Sequence, residues 1–269
     1  PWWRSRGQPG SRSAQRPHGR RMLSRRRMHR FRSAARRGDP FRARLCACWP
    51  HDRQAWTSSA GTALRVVMTS MTPVETYFRL GDELLRIDRP DAAETYFTAA
   101  QKLAPASPLP YEGLGLLAAQ GKRRAIAVEE LKESLRRGST DFLTHYVYAK
   151  EKFELTADAQ GRYGRLTNNA AAEIRGELEK SLALMPDFAA AHELLGFFEM
   201  VQDDDLVMAE RQLQQAIRLE PENPSYLLSL AQAQIRGQNF VAARQTLEPL
   251  LLPNADSKLH AAAQKLIHQ

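Results

Sequence analysis

The sequence predicts an all-α protein built as a solenoid of antiparallel helix pairs, on three observations. Small residues recur at near-constant intervals: Gly81, Gly115, Ala149, Gly196 and Ala231 are separated by 34, 34, 47 and 35 positions. Apolar residues around them keep helical spacing, as Tyr77, Leu80 and Leu84 do at i, i+3 and i+7, where a strand would alternate. The connections, such as "RIDRPDA" (86–92) and "AQGKRRA" (119–125), carry the Gly, Pro and Asp that interrupt helices. A unit of this length cannot bury its apolar face alone, so neighbouring units must stack.

The 269 residues divide sharply in composition. Residues 1–70 hold seventeen Arg, no Lys, two acids, all four Trp and both Cys, and they lack Glu, Asn, Ile and Tyr. That leaves 22 basic and 28 acidic side chains for residues 71–269, so the total of +9 separates into about +15 and −6. The basic character belongs to the first seventy residues, which are expected to be disordered because like charges repel and apolar periodicity is weak. "SRRRMHRFRSAARRGDPFRARL" (24–45) fits three readings. A transit peptide is Arg- and Ser-rich and poor in acids; a nucleic-acid-binding arm would displace counterions from phosphates; GC-rich DNA translated upstream of a start near Met68 or Met71 would give this composition too. A nucleic-acid partner is expected only if this segment is genuine. Cys46 and Cys48 are too close in sequence for an easy disulfide, and no further Cys completes a zinc set. No apolar run reaches the roughly 18–20 residues of a membrane span. Compartment stays open between a cytoplasmic default, a bacterial cell envelope and an organelle.

From residue 74 the units run in order. The first matches Tyr77, Leu80, Gly81, Leu84, Ala93, Phe97, Ala100 and Pro105; the second gives Tyr111, Leu114, Gly115, Ala127, Leu131 and Ser134. A third is split by an insertion, with His145, Tyr148 and Ala149 before it and Ile174, Leu178, Ser181 and Pro186 after it. The fourth offers His192, Leu195, Gly196, Ala209, Leu213 and Ala216, and the fifth Leu227, Leu230, Ala231, Ala243, Leu247 and Leu250. Two helices can cross closely only where a side chain is nearly absent, so Gly81 should face the region of Ala93, with Leu80, Leu84 and Phe97 filling the space around. Residues 255–268 place Leu259, Ala262 and Leu266 on one stripe, as a terminal capping helix would.

Carried by these positions, residues 72–254 resemble the tetratricopeptide repeat family. The resemblance implies a right-handed superhelix of about five repeats, near 74–107, 108–141, 142–188, 189–223 and 224–254, closed by the cap helix. It implies a non-enzymatic scaffold that binds a peptide or a helical segment of a partner protein in a concave groove. More loosely, "AAAHELLGFFEMVQDDDLVMAERQLQQAIRLEPENPSYLLSLAQAQ" (189–234) resembles units that trail the catalytic domain of some bacterial cell-envelope metallopeptidases. A detached module of such an enzyme is the alternative reading.

No catalytic residue, cofactor site or metal site is expected. "HELLG" (192–196) has Gly196 where a zinc-protease helix needs its second His. "QDDDL" (202–206) clusters carboxylates without the spaced oxygen ligands of a calcium loop, in a turn where helix capping accounts for Asp. "GRYGRL" (161–166) has two Gly but no G-K-[ST].

The family resemblance nominates the exposed side chains of each unit's first helix as the groove: Phe78, Asp82 and Leu85; Glu112 and Leu116; Tyr146, Lys150 and Phe153; Glu193, Phe197 and Met200; Leu228, Gln232 and Ile235. Phe78 and Asp82 stand where relatives that hold a C-terminal carboxylate carry Lys and Asn, which argues against such a clamp. An apolar stripe suits an extended or amphipathic peptide, with Tyr146 and Phe197 the best contact candidates. The competing reading is that Phe78, Phe153 and Phe197 pack on neighbouring helices or on the inserted segment 156–170, which would occupy the groove itself.

Overall fold

The computed structural model describes residues 71–202, 205–252 and 255–268. The Arg-rich segment, its expected disorder and Cys46 and Cys48 lie outside the described residues. Among those residues the chain is all-helical, with no strand beyond one isolated bridge between Ala157 and Tyr163. Five hairpins follow one another: α1 (Pro73–Arg86) with α2 (Pro90–Leu103), α3 (Leu109–Gln120) with α4 (Arg124–Arg136), α5 (Phe142–Glu154) with α6 (Asn168–Leu184), α7 (Ala189–Gln202) with α8 (Leu206–Leu219), and α9 (Ser225–Arg236) with α10 (Phe240–Leu247). A short 3₁₀ turn, Glu248–Leu251, leads to the closing helix α11 (Ser257–Ile267).

Side-chain caps open several of the helices. Thr72 caps α1 in a reciprocal box with Glu75, which accepts from the Thr72 backbone N–H at 2.8 Å. Asp141, Thr167, Asp205, Asn239 and Asp256 cap α5, α6, α8, α10 and α11 with side-chain oxygens. The tight turns inside hairpins one, two and five each hold a non-glycine residue in the left-handed region, Asp88, Lys122 and Gln238, at φ 62°, 57° and 59°. Gly121 and Gly237 cap α3 and α9 at ordinary negative φ, one residue earlier.

The small residues close the hairpins. A Cβ on Gly81 would stand 2.4 Å from the Phe97 ring, and one on Gly113 only 2.3 Å from it, so Phe97 fills a slot between two successive first helices. A Cβ on Gly115 would meet Leu131 at 2.5 Å, and one on Gly196 would meet the Ala209 carbonyl oxygen at 2.8 Å. Leu80 corrects the sequence reading: it does not fill the crossing but stands 38% exposed, with Tyr77 at 37%, while its counterparts Leu195 and Leu230 are 5% and 6% exposed. Those positions pack on the preceding hairpin in later units, and α1 has none before it among the described residues.

Polar ties recur at equivalent positions in some of the units. Ser134 Oγ donates to the Pro108 carbonyl at 3.1 Å and Ser181 Oγ to the Phe142 carbonyl at 2.8 Å, each tying a second helix to the start of its own first helix. Tyr111 Oη donates to the Pro105 carbonyl, and a ring nitrogen of His192 bonds the Pro186 carbonyl at 2.9 Å, each fastening a first helix to the end of the preceding unit.

Second helices pack on the next first helix throughout, and first helices touch in succession at α1–α3, α3–α5, α7–α9 and α9–α11. The second helices make no comparable succession, so the first helices form the tighter, inner face. One step breaks this row: α5 and α7 do not approach in the same way.

Candidate functional site

Residues 155–167, between α5 and α6, reach from α5 to α7 at that break, with Tyr163 against Phe153 and Phe197 and with Gly164 and Leu166 bonded to Gln202. The segment folds back at once. Asp158 N–H donates to the Arg162 carbonyl, Asp158 Oδ1 accepts from the Gln160 and Arg162 amides, all at 2.9 Å, and Gly161 takes the left-handed φ of 74° that the turn requires. Those amide bonds, Arg162 first, hold the Asp158 carboxyl below its ordinary range. The result aims Tyr163 back at α5.

Tyr163 is clamped on several sides. Its ring stacks on Phe153 at 4.3 Å and 16° and meets Phe197 edge-on at 5.5 Å and 76°. Its hydroxyl donates to Glu154 Oε1 at 2.9 Å, and burial, followed by that carboxylate, pushes the phenol up to about 12. Arg124 stands behind Glu154 at 3.4 Å and reaches Glu151 at 3.5 Å. One residue further along, the chain passes into a side-chain clamp: Gln202, buried at the end of α7, donates Nε2 to the Gly164 carbonyl at 2.9 Å and accepts from the Leu166 amide at 2.8 Å. Beside this seat Glu193 accepts from Ser229 Oγ at 2.7 Å, and desolvation holds its carboxyl above the usual range.

The nominated side chains separate into three sets. Glu112, Leu116, Tyr146, Phe153 and Met200 are buried, not groove-lining. Each is covered by a neighbouring element: Tyr146 lies 4.8 Å from the Phe188 ring, Phe153 lies under Tyr163, and Glu112 accepts from Ser139 Oγ at 3.4 Å. Leu228 and Ile235 belong to the cluster that Leu259 and Leu266 of α11 complete. Phe78, tilted on Phe97 at 5.9 Å, Asp82, Leu85, Lys150, Glu193, Phe197 and Gln232 are half-buried, each on the first helix of its hairpin. Sequence reasoning missed Tyr163, Glu154, Gln202 and Ser229. Its one available signal was an aromatic between two glycines in the insertion.

The chemistry available is that of holding a polypeptide: aromatic walls, a carboxylate that takes a hydroxyl proton donor and an amide that pairs with backbone. Among the described residues no three His, Cys, Asp or Glu side chains converge to hold a metal ion. His192 bonds Gln212 at 2.6 Å as well as the Pro186 carbonyl, and Asp205 caps α8; Asp203 and Asp204 lie outside the described residues. No described helix is long and apolar enough to cross a membrane.

Residues 200–266 match the family model for the tetratricopeptide repeat. No curated protein matches the chain. Solved structures similar to it include MamA, residues 41 to the end, from Desulfovibrio magneticus RS-1, at 18% identity over 72% of this chain and 97% of that one with a TM-score of 0.54. A thermophilic TPR protein of Thermus thermophilus, TTC0263, is 20% identical over 73% of this chain and all (100%) of that one, at 0.51. YrrB, described as a TPR protein with an unusual peptide-binding site, is 15% identical over 70% and 90%, at 0.56. Residues 200–266 thus match the tetratricopeptide repeat in sequence, and the described helix pairs share the fold of these solved structures.

Proposed function

We propose that this protein is a non-enzymatic interaction scaffold that holds an extended segment of a partner protein along the inner face of its first helices. One observation carries the reading: that face already holds a polypeptide, the chain's own residues 163–166, by an aromatic seat and a paired backbone clamp. Main-chain pairing with side-chain pockets beside it is how an extended peptide gains both affinity and selectivity. The remaining half-buried side chains, Phe78, Asp82, Lys150 and Gln232, extend the same face to either side. A fold neighbour described by its peptide-binding site supports the same assignment.

Photo-crosslinking tests it. A benzophenone amino acid at Gln232 on the inner face is compared with one at Gln214, exposed on α8. In lysate of the source cell, the scaffold reading expects one defined peptide sequence crosslinked from Gln232 and none shared with Gln214. Equal, unselective labelling from both positions would overturn it.

A further inference from the structure

We propose that the Tyr163 seat is a ligand pocket filled in cis, and that it fits an extended partner segment presenting an unmodified tyrosine three residues ahead of a free backbone amide. This rests on the scaffold reading and names the partner's chemistry.

Three features of the seat define what fits. Its walls, Phe153 stacked and Phe197 edge-on, select a flat aromatic ring. At the far end Glu154, backed by Arg124, accepts the hydroxyl proton. A phenylalanine would fill the walls and leave that acceptor without its donor, and a site built to bond a hydroxyl rejects the analogue lacking it. A phosphotyrosine would bring two negative charges against Glu154, with Glu193 close enough to act on the same phenol. Finally, the Gln202 amide pairs with the carbonyl one residue after the tyrosine and the amide three after it. That spacing fixes the direction of the incoming chain and requires it to be extended there.

The tether sets the terms of entry. A short connection gives its own segment an effective concentration on the order of millimolar. A partner with only the tyrosine cannot displace it, whereas one that also engages the inner side of α7 and α9 can. The inserted segment therefore raises the selectivity of the face for partners that match both parts.

The test uses the full chain and a variant whose residues 157–166 are replaced by Gly and Ser at equal length, shown helical by circular dichroism. The probe is a fluorescein-labelled peptide of residues 157–167, ADAQGRYGRLT. The inference expects saturable binding to the variant with a Kd below about 1 mM and none to the full chain. Phe at the Tyr163 position should weaken binding about tenfold, Ala about a hundredfold, and phosphotyrosine should abolish it. Gln202→Ala in the variant should weaken all peptides alike. If the replacement variant does not fold, Tyr163→Ala in the full chain is titrated with N-acetyltyrosinamide instead, with NMR shifts expected at Phe153 and Phe197. Absence of binding to a folded variant, or equal binding of the Tyr and Ala peptides, would overturn the inference. Such a failure alongside a defined Gln232 crosslink would leave the scaffold reading standing, and loss of both would remove the two together.

Discussion

Hairpins α7–α8 and α5–α6 join two helices by opposite means. In the first, Gly196 lets the Ala209 backbone approach until an added Cβ would stand 2.8 Å from its carbonyl, and Leu213 fills the space beside it. That crossing contact is one of shape and carries no charge, and the hairpin adds one side-chain bond beside it, His192 to Gln212 at 2.6 Å. In the second, a polar row crosses the interface. His145 Nδ1 bonds Glu177 at 2.5 Å, the Tyr148 hydroxyl donates to Glu173, and Lys152 pairs with Glu173 and donates to the Tyr148 hydroxyl at 3.1 Å. His145, Tyr148 and Lys152 lie on one stripe of α5, and Glu173 and Glu177 one turn apart on α6.

Loop length accounts for the difference. Three residues join α7 to α8, whereas thirteen join α5 to α6. Closing the longer loop costs roughly 1 kcal/mol more, and it leaves the register of the two helices to be set by the interface. Directional bonds set a register that apolar contact alone would leave loose. The segment freed from turning tightly is then available to cross the inner face.

The sharpest way to break the shape-closed hairpin is to add one carbon. Gly196→Ala forces backbone against backbone, and an overpacked site of this kind loses about 2–3 kcal/mol, read as a lower midpoint in urea. Amide exchange should speed first in α7 and α8. In the polar hairpin the corresponding break removes a donor. Tyr148→Phe deletes the hydroxyl shared by Glu173 and Lys152 and should cost about 1–1.5 kcal/mol.

Acid distinguishes the two hairpins without mutation. Glu177 is desolvated, yet the bonds from His145 and Lys180 outweigh that and hold its carboxyl below the ordinary value; the Lys152 and Tyr148 bonds do the same for Glu173. A depressed folded-state value gives stability that is present above the unfolded value, about 4.3, and is lost as pH falls through the folded one. Protection of α5–α6 amides should therefore decline between pH 5 and 3, roughly, while that of α7–α8 follows only the global stability. Glu177→Gln should remove most of the difference.

Glu193 runs the other way. Desolvation raises its carboxyl against the pull of Ser229 and Lys150, so its contribution is fully present below the unfolded value and lost as pH rises through the folded one. Glu193→Gln is expected to raise Tm at pH 7 and to leave it unchanged near pH 3, where the native acid is protonated too. A gain that persisted at low pH would show that the carboxyl is not desolvated by the fold.

How much of this was legible followed from what is periodic. Gly81, Gly115 and Gly196 announced the crossings because the same geometry recurs at the same interval. Gly121 announced a helix end, but the residue that turns left-handed is Lys122, since the cap needs Gly121 only at an ordinary φ. Tyr146 and Phe153 fell on the inner stripe by phase, and phase cannot report that Phe188 and Tyr163 come across to cover them. The seat itself was invisible for the same reason. "GRYGRL" belongs to no repeat, and its glycines foretold a turn without saying where the ring between them would land.

The smallest expected effect uses the first substitution again, in the other hairpin. Gly176 lies inside α6, and a Cβ there would meet nothing within 4 Å. Glycine costs a helix interior about 0.8–1 kcal/mol relative to alanine because its unfolded backbone has more freedom to lose. Gly176→Ala should therefore stabilise by nearly that amount, raising Tm by about 2–3 °C, while Gly196→Ala lowers it. The sign is decided by whether a neighbouring helix closes on the glycine or leaves open space beside it. In hairpin α5–α6 the long polar row holds the helices in register without a glycine contact at position 176, which leaves that glycine no packing role. If both alanines destabilised alike, α6 would have to lie closer to its neighbours in solution than the polar row implies, and shape rather than hydrogen bonding would be closing all five hairpins.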